Sequence, residues 1–256
     1  MSLAIETKQL TRFFSGFCAV KGVDIVVEPG TFYGFLGPNG AGKSTTIKML
    51  TGLLAPSGGE IRVLGRNMQD PAEALEAKRH IGVIPEDLAL LDNLTAREYL
   101  TFVGRIHMMP RETIRSRSEE LLSILSLHNE EKKLILEYSH GMKKKLAMAA
   151  ALLPNPDLLF LDEPFEGVDV VTSRVIRDLL ATYVARGSTV FLTSHVLEIV
   201  ERLCTHVGMI VKGQLVAQGP LEEIRRDGTL EDSFLERVQA EPESTGKLAW
   251  LEETTS

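Results

Sequence analysis

The segment Gly37-Pro38-Asn39-Gly40-Ala41-Gly42-Lys43-Ser44 sets a glycine, four intervening residues, then Gly, Lys and Ser. That spacing suits the capture of phosphate. Its glycines let backbone N–H groups turn inward on phosphate oxygens, and a following helix N-terminus adds partial positive charge. Lys43 can then reach the β- and γ-phosphates of a nucleoside triphosphate, and the Ser44 hydroxyl can ligate Mg²⁺. Thr45 continues the turn into that helix. Far along the chain an apolar run ends in Asp162-Glu163, the pattern that places a Mg²⁺ carboxylate at a strand end. Glu163, beside that ligand, can polarise a water for attack on the γ-phosphorus. Thr193-Ser194-His195 ends a further apolar run. Taken alone, Asp162 reads equally as an acidic helix cap and His195 as a satisfied core or surface histidine. The phosphate loop gives both a shared purpose.

These residues need a scaffold, and the sequence predicts one. An apolar strand, 32–36, leads into the loop, and a helix, 45–53, leaves it. Short strands are expected at 5–10, 23–27 and 61–64, the last ending at Gly65. A helix is expected over 71–79, and a buried strand over 81–84 ends at Pro85. From 87 to 153 strand signals vanish and helical periodicity dominates, as in Leu121, Leu122, Ile124 and Leu125. This predicts a helical subdomain inserted in an α/β core. The continuous apolar run 158–161 reads as a central parallel strand. A helix over 171–184, a buried strand over 189–192 and a helix over 196–203 follow. Residues 207–211 and 214–217 suggest a hairpin turning at Lys212-Gly213. Parallel core strands share an end, so Glu163 and His195 should face the same nucleotide. After Glu231 the pattern fades, and 236–256, around a lone Trp250, reads as a flexible polar, acidic tail.

Composition bounds the remaining choices. The 256 residues suffice for one large α/β domain or a core with a subdomain. Hydrophobic residues make up 44% and charged residues 25%, an ordinary globular balance. A net charge of -7 argues against broad nucleic-acid binding, and no nucleic-acid partner is expected. Cys18 and Cys204 form no metal or redox spacing, which predicts two buried thiols in a reducing compartment. Glu6 and Lys8 interrupt any secretory signal, and no apolar run approaches the roughly 18 residues that span a bilayer. The expected chain is soluble, with any membrane role reached through a partner. The run Lys143-Lys144-Lys145 is short for a basic cluster and reads as a solvated helix face.

Residues 3–235 resemble the nucleotide-binding subunit of ABC transporters. The order Gly37–Ser44, Glu86, Ser139–Lys145, Leu158–Glu163, Asp169, His195 is that family's order of motifs. The stretch FLGPNGAGKSTTIKMLTGLLAPSGGEIRVLG is similar almost word for word. The stretches IGVIPEDLALLDNLTAREYL and YSHGMKKKLAMAAALL are most similar to ATPase subunits of bacterial multidrug and antibiotic exporters. The resemblance implies an α/β fold: a phosphate-loop (RecA-like) core, an N-terminal antiparallel β subdomain and an inserted α-helical signature subdomain. The first two occupy 3–86 and 154–235, the third 87–153.

The resemblance also implies roles. Phe14 would stack on adenine, with Phe13 as the fallback. Gly37 to Thr45 would bind ATP, and Ser44, Glu86 and Asp162 would serve Mg²⁺. Ser139, His140, Gly141 and Met142 would form the signature, which meets ATP held by the opposite subunit. Ser139 before a strong helical run also suits an N-cap. Asp169 would lie in a loop crossing the dimer interface, and Glu163 and His195 would act in hydrolysis. Three positions depart from the family: Tyr-Ser-His-Gly-Met replaces Leu-Ser-Gly-Gly-Gln, Glu86 replaces Gln, and Glu166 replaces Ser. His140 would be costly if its position needs positive φ.

The expected protein is an ATP-hydrolysing dimer at the cytoplasmic face of the membrane, powering export through a separate permease. Residues 87–99, with Leu88, Leu90 and Leu91, are the expected docking groove, although those leucines read equally as subdomain core. The rival is a soluble ABC-type ATPase of DNA repair or translation, but no long coiled-coil insertion and no second cassette occur. A kinase or GTPase leaves the signature segment unexplained, and no Asn-Lys-x-Asp string occurs.

Overall fold

A computed structural model describes residues 2–225 and 228–238. In chain order, β1 (Ile5–Phe14), β2 (Phe17–Val23) and β3 (Val26–Val27) precede β4 (Phe32–Leu36) and α1 (Lys43–Leu50). Then come β5 (Gly58–Val63), β6 (Arg66–Asn67), α2 (Pro71–Arg79) and β7 (Ile81–Ile84). The helices α3 (Ala96–Ile106), α4 (Arg111–Ile124) and α5 (His140–Leu152) follow. The chain closes with β8 (Leu158–Asp162), α6 (Val170–Ala185), β9 (Thr189–Ser194) and α7 (Leu197–Leu203), then β10 (His206–Val211), β11 (Gln214–Pro220), α8 (Leu221–Arg225) and α9 (Leu230–Val238).

Six strands form the central sheet in the order β11-β10-β4-β9-β8-β7. All neighbours are parallel except β11, which pairs antiparallel with β10 through the Lys212-Gly213 turn. Both faces are covered, so the inner strands read as unbroken apolar runs rather than alternating ones. Within β4, Phe32 and Leu36 join the core beneath the helical segment, and Tyr33 and Phe35 join the core beneath the second sheet. Phe191 anchors the latter, stacked on Tyr33 at 5.3 Å and tilted against Phe35 and Phe160. The Tyr33 hydroxyl donates to Gln218 Oε1 at 2.9 Å, and burial pushes that phenol far above its ordinary range.

The second sheet is antiparallel, in the order β2-β1-β5-β6 with β3 on β1. The strand expected over 23–27 is broken here. Asp24, between β2 and β3, turns its side chain to β1, where its Oδ1 accepts the Gln9 backbone N–H at 2.5 Å; β1 is itself irregular there, with Gln9 at φ 50. Residues 17–23 form a strand that the sequence pattern did not predict. Cys204 is buried as expected, but Cys18 is half-buried, with its thiol donating to the Val20 carbonyl.

The segment between β7 and β8 holds α3, α4 and α5, as predicted. Thr95 and Glu98 form a reciprocal cap on α3. The fading expected after Glu231 does not occur at once. Thr229 and Asp232 cap α9 through bonds of 3.0 and 3.1 Å, and buried Leu230 anchors it. Residues 236–238 therefore belong to a helix, and 239–256, with Trp250, lie outside the described residues. No helix among the described residues is long and apolar enough to cross a membrane.

Candidate active site

The phosphate loop turns between β4 and α1. Gly42 takes φ 110, and a Cβ there would lie 2.7 Å from the Ala19 carbonyl. A Cβ on Gly37 would lie 2.3 Å from the Ile210 carbonyl. Glycine is thus demanded at both positions by conformation or by close backbone approach. No side chain caps α1, so its first N–H groups are left available to an anion.

One cavity of about 490 Å³ gathers most of the expected site. Pro38, Asn39, Gly40, Gly42, Lys43, Ser44 and Thr45 line it, together with Phe14, Glu86, Glu163 and His195. Gly37 and Ala41 are buried behind the loop, and Asp162 is buried at the end of β8. Phe17, Ala19 and Glu166 also line the cavity. Phe14 is flanked by the Arg12 guanidinium, 4.6 Å from its ring centre. The fallback Phe13 is absent from the lining, and Phe17 occupies the second aromatic place. Phe14 ends β1 and Phe17, paired with it, begins β2, the strand that was not foreseen.

The charged groups converge at the strand ends. Lys43 Nζ donates to the Gly37 carbonyl at 2.8 Å and lies 3.7 Å from Glu163 Oε1. Glu163 Oε2 lies 3.0 Å from His195 Nδ1. Ser44 Oγ donates to Glu86 Oε2 at 3.3 Å. Thr193 Oγ1 donates to Asp162 Oδ1 at 2.5 Å and accepts the Glu163 N–H at 3.1 Å. Among the described residues no cluster of three or more His, Cys, Asp or Glu forms a metal cage. The oxygen donors of Ser44, Glu86 and Asp162 do suit a Mg²⁺ ion that keeps waters and phosphate oxygens in its shell.

The signature residues are not part of this cavity. Ser139 caps α5, accepting the Met142 N–H at 3.2 Å. His140 begins α5 with helical, not positive, φ, so its replacement of glycine carries no backbone strain. A Cβ on Gly141 would meet nothing within 4 Å, so nothing inside this chain requires glycine there. Asp169 caps α6, accepting from the Thr172 backbone and hydroxyl. The Thr172 hydroxyl holds that carboxyl below its ordinary range. Val170 and Val171 beside it are 84% and 74% exposed.

Lys144 corrects the reading of the lysine run as a solvated face. Lys143 and Lys145 are half-buried, and Lys143 pairs with Asp92 at 2.8 Å. Lys144 is only 6% exposed. Its Nζ donates to the Glu163 carbonyl at 3.0 Å and to the Glu166 carbonyl. Burial pushes this ammonium below the ordinary lysine range, an effect that the carboxylates of Glu166, Glu163 and Glu86 oppose.

A second, apolar cavity of about 380 Å³ lies between the core and the helical segment. Leu53, Leu88, Leu90, Tyr99 and Val103 line it. Leu88 and Leu90 also pack on the core, which bears out the subdomain-core reading of these two, while Leu91 stands exposed outside the lining.

The sequence profile of the ABC transporter family matches residues 20–166. The bacitracin transport ATP-binding protein BcrA of Bacillus licheniformis is 39% identical over 227 residues, 88% of this chain and 72% of that protein. The daunorubicin/doxorubicin resistance ATP-binding protein DrrA of Streptomyces peucetius is 37% identical over 222 residues, 87% of this chain and 67% of that protein. The ATP-binding cassette MJ0796, solved as a dimer in a post-hydrolysis state with ADP and Pi, superimposes with a TM-score of 0.77. It is 25% identical, covering 84% of this chain and 98% of that one.

Proposed function

We propose, for a chain that belongs to the ABC transporter family, that it is the ATP-hydrolysing subunit of an exporter and works as a head-to-tail pair. Relatives named for antibiotic transport and resistance support the exporter reading. They do not support a soluble ATPase of DNA repair or translation. The observation that carries the site is the convergence of Lys43, Glu163 and His195 beside the phosphate loop.

ATP enters with its adenine on Phe14 and Phe17 and its phosphates on the loop. Lys43 and the N–H groups of α1 neutralise the β- and γ-phosphates. Ser44, Asp162 and Glu86 would hold Mg²⁺, which when bound supplies charge neutralisation to the same phosphates. Glu163 accepts the proton of the attacking water. His195, held by Glu163 through Nδ1, turns its remaining ring nitrogen to the γ-phosphate. Ionised Glu163 and a phosphate oxygen are both acceptors, so the two contacts together require a proton on each ring nitrogen of His195.

The signature completes the site from a second copy. Ser139, His140, Gly141 and Met142 lie outside their own chain's cavity, and the open space at Gly141 suits a partner's nucleotide. Exposed Val170 and Val171 beside Asp169 would be covered in such a pair. A γ-phosphate gripped by both copies favours the closed pair by its differential affinity, and hydrolysis releases it. The apolar cavity at Leu88 and Leu90 is where a permease would dock and receive that motion.

Replacing Lys43 by Ala tests the site. ATP affinity should fall about 10- to 100-fold, the loss of a charge-assisted hydrogen bond. Unchanged affinity in a direct binding titration would remove the phosphate-loop assignment.

A further inference from the structure

Glu163 is held in an unusual way. Its φ is 49, the left-handed region that a residue with a Cβ enters only at a cost. Such a conformation persists when the surroundings over-determine it. Here both sides of the residue are clamped. Its N–H donates to Thr193 Oγ1 on β9, and its carbonyl accepts from Lys144 Nζ on α5. The second clamp comes from the signature helix. Lys144 is the fifth residue of α5, about 7 Å along the axis from the Ser139 cap.

The first turns of α5 also touch the same loop elsewhere. Lys144 donates to the Glu166 carbonyl, and a Cβ on Gly167 would lie 3.1 Å from His140 Cδ2. The loop that carries Glu163 therefore rests on the N-terminal turns of α5. A displacement at Ser139 or His140 passes to Glu163 through one rigid helix and a pair of hydrogen bonds.

We propose that Lys144 is a positioning residue that couples the two nucleotide contacts of this chain. When the signature end of α5 engages a partner's ATP, Lys144 fixes the Glu163 backbone and aims its carboxylate at the ATP in its own loop. Readiness of one site is thereby set by occupancy of the other. The inference rests on the reading of Glu163 and of the signature given above.

Full-length Lys144→Met keeps the chain length and removes the ammonium. Turnover should fall on the order of 10²-fold, the cost of a misplacement near 1 Å. ATP affinity should stay within about 2-fold, because Lys144 does not line the cavity. Lys144→Arg, whose guanidinium can donate to two carbonyls, should recover most of the loss. Ser139→Ala then tests the coupling: it should lower turnover by a smaller factor in the Lys144→Met background than in wild type, since part of its effect passes through Lys144. Independent multiplication of the two losses overturns the coupling. Turnover of Lys144→Met within about 3-fold of wild type overturns the positioning role. Loss of ATP affinity or of a cooperative thermal melt in Lys144→Met, with no recovery in Lys144→Arg, also overturns it, since Lys144 would then only support the fold. Glu163→Gln measured alongside separates the cases: if it retains turnover, the underlying reading fails; if it does not, only the inference is at stake.

Discussion

His195 Nδ1 lies 3.0 Å from Glu163 Oε2, and the two residues come from the ends of neighbouring parallel strands. The contact fixes the ring so that its other nitrogen can meet the γ-phosphate. His195→Ala should lower kcat by about 10²-fold, the usual cost of losing one donor to developing charge. Phosphate release at saturating ATP measures it. A kcat within about 3-fold of wild type would exclude His195 from the chemistry.

The aromatic pair at the cavity mouth gives a selective prediction. Phe14→Ala and Phe17→Ala should each weaken ATP binding by about 1–3 kcal/mol, the value of one base–aromatic stack. Phe13→Ala should change it little, because Phe13 does not line the cavity. A titration with ATP and with inorganic triphosphate separates stacking from phosphate binding: only ATP binding should respond.

Gly42→Ala places a Cβ at φ 110 against the Ala19 carbonyl. We expect a destabilisation of about 1–3 kcal/mol and a matching loss of ATP affinity. Denaturant unfolding and a binding titration test the two effects. A fully stable variant with intact affinity would show that the loop tolerates a side chain there.

The Asp169 cap predicts a pH dependence. Its carboxyl ionises below its ordinary value of 3.8 because the Thr172 hydroxyl donates to it. A depressed folded-state pKa contributes stability fully present above 3.8, and that contribution is lost as pH falls through the lower folded value. The melting-temperature gap between wild type and Asp169→Ala should thus be widest near neutrality and narrow below 3.8. A gap that does not change with pH would leave Asp169 no electrostatic part in capping α6.

The core strands and the phosphate loop are legible in the sequence because their signals are local. Residues 158–161 are apolar without a break, and both faces of β8 are in fact covered. The clustering of Glu163 with His195 follows from parallel strands sharing an end. What depends on long-range contacts is less visible. Lys144 looks solvated beside two other lysines, yet three successive helical residues spread over about 200° and cannot all face water on a helix packed on several sides. Residues 23–27 look like one strand, but Asp24 turns to Gln9 on β1. For α9 a local signal does exist, the Thr229–Asp232 pair, whose spacing matches a capping box. The acidic stretch after it conceals the helix.

Glu163→Gln tests the central claim most directly. The amide keeps the shape of the side chain and cannot accept the proton of the attacking water. ATP hydrolysis should fall to background while ATP affinity holds. Gel filtration with ATP should then show a stable dimer that disperses with ADP. Turnover near the wild-type rate would contradict the assignment of Glu163 as the base, and a monomer at saturating ATP would contradict the two-copy site.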